Sequence, residues 1–321
     1  MRLAIFNDYR LGVVDAAGQR LTDVTAELGG RWEPEAFGAG WWLRLCRDFD
    51  ELRPQIEAAC DRGEVLELET VVLRAPVLNP GKVVATAMNY ADHVDEMRDT
   101  VLQRVAGRVD PALLDFDVFL KATSSIVGPG SHVVLPAIAL REQKEVHHEG
   151  ELGVVIGRAG IDIREEDALG HVLGYVIGLD MVLRGHGDRS RRKSYDTFTP
   201  LGPWLTTADE IGDPKGLDIH LSVGGATRQR ANTDQMIVSV PGIIAHASSI
   251  MRLEPGDVIL TGAPPGVGEV NAGDTVDVTI SKLGTLEVHV TADDAARQRA
   301  LDEINARGGV GPRSRAGSRR R

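Results

Sequence analysis

Short apolar runs, some alternating with polar residues and some continuous, recur along this chain and are cut by glycine and proline. A period of two predicts half-buried strands, and a continuous run of four to eight predicts a fully buried one. Near the start, MRLAIF, RLGVVD and RLTDVT read as strands separated by turn residues, and DELRPQIEAACDRG reads as a helix ending at Gly63. The neighbouring Trp41 and Trp42 read as core packing for this unit. A proline-rich crossing, RAPVLNPGK at residues 74–82, marks a boundary. Beyond it come the strand candidates KVVATAM, DVFLKA, HVVLP, ELGVVIG, HVLGYVIGLD, GPWLTT, LDIHLSV, DVILTG, DTVDVTI and TLEVHV. Helices are expected between them at YADHVDEMRDTVLQRV and PGIIAHASSIMRL. Strand and helix do not alternate regularly, so the expected class is α+β with a dominant sheet system. TADDAARQRALDEINA predicts a last helix, and GGVGPRSRAGSRRR, with nothing to bury, a disordered basic tail. The expected division is a small N-terminal α+β domain over 1–75, a β-rich unit over 76–290, and the helix and tail over 291–321.

Composition narrows the function. A formal charge of −11 on 321 residues argues against nucleic acid as a partner, because phosphate binding needs a basic surface. No apolar run reaches membrane-spanning length, and the N-terminus lacks a basic start followed by an apolar stretch. The expectation is a soluble, cytoplasmic protein with no membrane partner, in which Cys46 and Cys60 stay reduced.

The candidate chemistry begins at HHEGELGVVIG, residues 147–157. In a strand, residues i and i+2 share a face, which sets Glu149 and Glu151 side by side. Two carboxylates that close repel each other and lose solvation, so something positive belongs between them. Asp180 closes the next apolar run, where strand gives way to loop. Together the three make an all-oxygen set suited to Mg²⁺ or Mn²⁺, with Ca²⁺ also possible. His147 falls on the glutamate face by alternation, which leaves a histidine-containing transition-metal site open; His148 faces the other way. In MNYADHVDEM, His93 and Glu96 are three apart and meet on a helical turn. A carboxylate that fixes the imidazole tautomer makes the other nitrogen a general base. Lys193 lies in a basic loop ahead of a Gly-Pro turn.

These pieces, with FLKATSSIVGPGSHVVLP, GYVIGLDMVLR, KSYDTFTPLGPW, the glutamine-containing TRQRANTDQMIVSVPGIIAHASSIMRLEPGDVILTG and PPGVG, run in the order of the fumarylacetoacetate hydrolase superfamily. The chain resembles its acylpyruvase and oxaloacetate decarboxylase branch over residues 82 to about 290. The resemblance implies mixed sheets rolled into a barrel-like core, and a homodimer. It implies that Glu149, Glu151 and Asp180 bind the metal, that His93 and Glu96 activate water, and that Lys193 is the active-site lysine. Arg184 is implied to bind the substrate carboxylate, with Lys121 and Thr261 as further substrate contacts. The implied activity is cleavage of a carbon–carbon bond in a small 2-oxo acid of the fumarylpyruvate, acetylpyruvate or oxaloacetate class, by hydrolysis or decarboxylation. A divalent cation stabilises the enolate charge of the pyruvate that leaves.

Two positions depart from the branch. The glutamine expected three residues after the arginine is Gly187, and the expected TGTP reads TGAP, with Ala263 in place of a hydroxyl. His186 is either a compensating donor or a surface histidine. The alternatives are an isomerase, hydratase or dehydratase of a related unsaturated or sugar-derived 2-oxo acid, and a catalytically degenerate protein that binds metal and 2-oxo acid.

Overall fold

The computed structural model of the chain describes residues 1–31, 40–96 and 115–292. The predicted C-terminal helix and basic tail lie outside the described residues, as does the predicted helix at 90–105 beyond residue 96. Mostly strand, the described residues form three sheets. The largest has the order β4 (Val65–Glu67), β3 (Arg20–Asp23), β2 (Arg10–Val14), β1 (Arg2–Phe6), β13 (Thr199–Thr207), β11 (Val172–Leu179), β10 (Gly150–Ile156), β16 (Val258–Leu260), β5 (Val83–Ala87) and β6 (Asp117–Lys121). A short strand, β7 (Ile126–Val127), pairs in parallel with β13. The second sheet orders β12 (Val182–Leu183), β9 (Val146–His148) and β17 (Gly268–Glu269). The third orders β15 (Ala226–Asn232), β14 (Asp218–Val223), β18 (Thr275–Ile280), β19 (Gly284–Thr291) and β8 (His132–Val134).

Two expectations need correction. No pairing among the described residues joins β4 to β6, so the large sheet is open and the barrel-like closure is not found. Nor is a separate N-terminal domain clearly set apart. β1 pairs with β13, Arg2 opposite Thr206, so the N-terminal strands extend the main sheet. Strand β13 is buried at all nine positions, and β1 supplies one of the neighbours that make this possible. The helices α1 (Gly40–Arg47) and α2 (Phe49–Ala59) lie on the same sheet. Trp41, Trp42 and Ile56 from them share a core with Val83, Val176, Leu205 and Leu260.

Burial explains the continuous apolar run of β10. Leu152, Val154 and Ile156 join a core with Ile219, Val278 and Leu286, whereas Val155 joins the opposite one with Trp42. A strand covered on both faces needs apolar residues at successive positions. Two further helices matter below: α3 (Arg189–Lys193), capped by Asp188, and α4 (Val240–Ile250), capped by Ser239. The loop expected around Lys193 is therefore a short helix.

Asn89 follows β5 and fastens this end of the sheet. Its side-chain nitrogen donates to the Val238 carbonyl at 3.0 Å and the Thr261 carbonyl at 2.8 Å, and its oxygen accepts from Val238 N at 2.7 Å. The residue is fully buried and lies four positions before His93. We expect Asn89→Ala to destabilise the fold by about 2–4 kcal/mol, since buried donors and acceptors lose their partners. Urea denaturation measures this, and an unchanged midpoint would contradict the assignment.

Candidate metal and catalytic site

Antiparallel pairing of β10 with β11 sets Gly150 opposite Leu179. Glu149 precedes β10 in a one-residue break after β9, Glu151 is the second residue of β10, and Asp180 follows β11. The Asp180 N–H donates to the Glu149 carbonyl at 2.8 Å, which locks the two strand ends together. Carboxylate oxygens of Glu149, Glu151 and Asp180 lie within 4.8 Å of one another, and all three residues are buried.

Two ammonium groups share this space. Lys193 Nζ donates to Glu149 Oε2 and to Asp180 Oδ2. Lys121 Nζ donates to Asp180 Oδ1 at 2.5 Å and to the Phe198 carbonyl at 2.8 Å. Burial opposes the charge on Lys193, yet Asp180 and Glu149 outweigh it and raise its pKa. Burial also opposes ionisation of Glu149, but Lys193, then Arg184 and His93, hold its carboxyl down to about 2. Glu151 goes the other way: burial first, then the charge of Asp180, push it well above the usual carboxylate range. Its Oε2 accepts from Gly262 N at 2.7 Å, while its buried Oε1 has no hydrogen-bond partner. A buried carboxylate short of a partner and repelled by its neighbour calls for one more positive charge. Three hard oxygen donors converging there fit Mg²⁺ or Mn²⁺, and their chemistry also admits Ca²⁺.

His147 is not part of this set. Its Nε2 meets Glu145 Oε2 at 2.9 Å, and its Nδ1 accepts from Arg184 Nε at 3.0 Å. That arrangement puts the proton on Nε2. Among the described residues the metal-ligating cluster contains only carboxylates. His148 is fully buried, with both ring nitrogens unpartnered, and burial pushes its pKa down to about 4, so it packs as a neutral ring.

His93 and Glu96 meet as the spacing predicts, Nδ1 to Oε2 at 3.1 Å, on a helical turn over 91–96. Sequence reasoning missed what holds Glu96. Gly266 N donates to both its oxygens at 3.2 Å. At φ +93°, a Cβ on Gly266 would lie 1.9 Å from the Arg228 carbonyl, so the PPGVG turn needs glycine here to reach Glu96.

The remaining sequence candidates fall into two groups. Arg184 stands at the carboxylates, its Nη2 3.6 Å from Glu149 Oε1. Lys121 donates to Asp180 and a backbone carbonyl, and the Thr261 hydroxyl donates to the Leu152 carbonyl at 2.9 Å. Both side chains thus bond within the protein, Lys121 beside the carboxylates and Thr261 just past the end of β16, the strand next to β10. Gln229, left unassigned from sequence, accepts from Gly150 N at 2.9 Å and donates to the Pro264 carbonyl at 2.7 Å, bracing the glutamate strand. His186 is exposed and Ala263 is buried. No helix among the described residues is long and apolar enough to cross a membrane.

Comparison with known proteins agrees with this geometry. The family model for the fumarylacetoacetate (FAA) hydrolase C-terminal region matches residues 82–291. A maleylpyruvate hydrolase of Aquipseudomonas alcaligenes is 38% identical over 291 residues, covering 90% of this chain and 99% of that protein. A maleylpyruvate hydrolase from Sphingobium sp. SYK-6, solved in complex with manganese(II) and pyruvate, superposes with a TM-score of 0.78 at 41% identity, covering 91% of this chain and 99% of that one. A mitochondrial oxaloacetate tautomerase of Xenopus laevis is 40% identical over 244 residues, covering 72% of each chain. With a family match over more than half its length and relatives aligned nearly end to end, the chain belongs to the fumarylacetoacetate hydrolase family.

Proposed function

We propose that the chain is a divalent-metal-dependent enzyme, using Mg²⁺ or Mn²⁺, that cleaves a carbon–carbon bond in an acylpyruvate-like 2-oxo acid. The observation that carries this reading is the convergence of three buried carboxylates, accompanied by the hydrogen-bonded His93–Glu96 pair. The manganese and pyruvate in the Sphingobium relative and the activity named for the Aquipseudomonas relative support it. The family match beginning at residue 82 supports reading 76–290 as the catalytic unit, 1–75 as an appended one and 291–321 as a tail. We read the assembly as a homodimer from the family resemblance.

A divalent cation held by Glu149, Glu151 and Asp180 supplies Lewis-acid stabilisation of negative charge on the 2-oxo group. The chain's own residues do the rest. Arg184 pairs with the substrate's C1 carboxylate while His147 and Glu145 fix its orientation. Glu96 holds the His93 tautomer, so Nε2 takes a proton from water as its oxygen attacks the distal carbonyl. Of the three N–H bonds of Lys193, two point to Glu149 and Asp180 and the third is left for the oxyanion formed there. Collapse breaks the carbon–carbon bond, and its electron pair passes into the 2-oxo group. Proton return from His93 then releases pyruvate and a carboxylic acid.

A second reading is tautomerisation, favoured by the likeness to the Xenopus enzyme. The same histidine would then shuttle a proton at C3 with no bond cleaved.

Turnover of acetylpyruvate, fumarylpyruvate and oxaloacetate with Mg²⁺, Mn²⁺ or EDTA tests the main reading. Metal-dependent cleavage of at least one is expected, whereas deuterium exchange at C3 without cleavage would support the tautomerase. Glu151→Gln is expected to abolish metal affinity and activity while the fold persists, and an active variant would remove the metal assignment. His93→Ala should lower kcat by about 10²–10⁴-fold and leave metal affinity within a few-fold. Parallel loss of both would contradict its role as base.

A further inference from the structure

Arg192 has no place in the chemistry above, yet the fold takes trouble to hold it. It sits one residue before Lys193 on α3, a helix packed against β6 and β12, the strands that lead into Lys121 and Arg184. Its N–H donates to the Asp188 carbonyl at 3.1 Å and its Nε donates to the Gly187 carbonyl at 3.1 Å. The side chain is half-buried, and among the described residues no carboxylate forms an ion pair with it. Arg184 contrasts with it, being engaged by both Glu149 and His147.

Gly187 gives this arrangement a cause. It stands where the family resemblance places a glutamine, and its φ of +121° follows +131° at Gly185, backbone that only glycine adopts readily. The loop therefore gives up a neutral amide donor, and its glycine backbone turns the carbonyl of residue 187 toward a guanidinium. Adjacent residues on a helix are about 100° apart around the axis, so Arg192 leaves the helix on a different bearing from Lys193, which enters the carboxylates. Burial and the nearby charge of Arg184 both lower the pKa of Arg192, with Glu149 acting the other way. A second positive group beside Arg184, near Glu149 and Asp188 but in an ion pair with no carboxylate among the described residues, can receive an anion.

We propose that Arg192, anchored by the Gly187 carbonyl, binds a second carboxylate at the acyl end of the substrate, so that the site selects dicarboxylic over monocarboxylic 2-oxo acids. The proposal rests on the acylpyruvate reading above and specifies which acylpyruvates the site prefers. Arg184 takes the carboxylate beside the 2-oxo group and Arg192 the one at the far end.

The test uses the Mn²⁺-loaded full chain with the dicarboxylic fumarylpyruvate and the monocarboxylic acetylpyruvate. Arg192→Gln is expected to lower kcat/KM for fumarylpyruvate about 10- to 100-fold, mostly through KM, as expected for losing a charge-assisted hydrogen bond. For acetylpyruvate the same variant should stay within about threefold of wild type. Arg192→Lys should restore part of the loss, because the charge returns without the fork. An equal fall for both substrates, or no fall for either, would overturn the proposal. Calorimetry with two uncleavable probes, 2-oxoadipate and 2-oxohexanoate, separates this claim from the activity itself. Should wild type cleave neither acylpyruvate, the hydrolase reading fails while Arg192 is still judged by the probes. Tighter binding of 2-oxoadipate, lost in Arg192→Gln, upholds it, and equal binding of the two probes refutes it.

Discussion

Three carboxylates forced together away from water are the constraint on which the rest of this structure depends. Left alone they repel, and one of them, Glu151, is driven toward its neutral form with an oxygen unpartnered. The surrounding fold answers with Lys193, Lys121, Arg184 and the Gly262 N–H, all aimed at the same few ångströms. No surface ion pair would call for so many partners, since exposed charges are stabilised by water at little cost. Such a cluster is unstable without cations and useful with one, because a site that concentrates negative donors binds a hard dication and turns it toward a substrate's oxygens. The sheet is what holds it: Glu149, Glu151 and Asp180 are set by the register of one antiparallel strand pair.

The reactive elements around that centre come from distant parts of the chain. His93 and Glu96 lie on a helical turn after β5, and Glu96 is fixed by the turn at Gly266. Asn89 bonds the same region to Val238 and Thr261. A residue such as Asn89 or Gln229 touches no substrate in this account, yet removing it would let the His93–Glu96 pair drift from the carboxylates. The geometry therefore depends on buried amide side chains that bind backbone to backbone.

What the sequence disclosed follows from how local each signal is. The carboxylate set was legible because strand alternation and a strand end are encoded within a few residues of Glu149, Glu151 and Asp180. The His93–Glu96 pair was legible from its helical spacing. Partners that arrive through tertiary packing were not. Nothing near Lys121 announces that its ammonium reaches Asp180, and nothing near Thr261 that its hydroxyl turns to the Leu152 carbonyl. The N-terminal strands read as a separate unit because their pairing partner, β13, lies some two hundred residues further along. Helix α1 and strand β15 were missed for a different reason: tryptophans and arginines in short segments obscure the period that marks an element.

The measurement that tests the central claim most directly is anomalous diffraction from a crystal of the full chain grown with Mn²⁺. The account predicts one strong manganese peak per chain among the oxygens of Glu149, Glu151 and Asp180, with Glu151 Oε1 turned to it. A crystal whose manganese lies elsewhere, or whose three carboxylates keep only their lysine partners at saturating Mn²⁺, would contradict it.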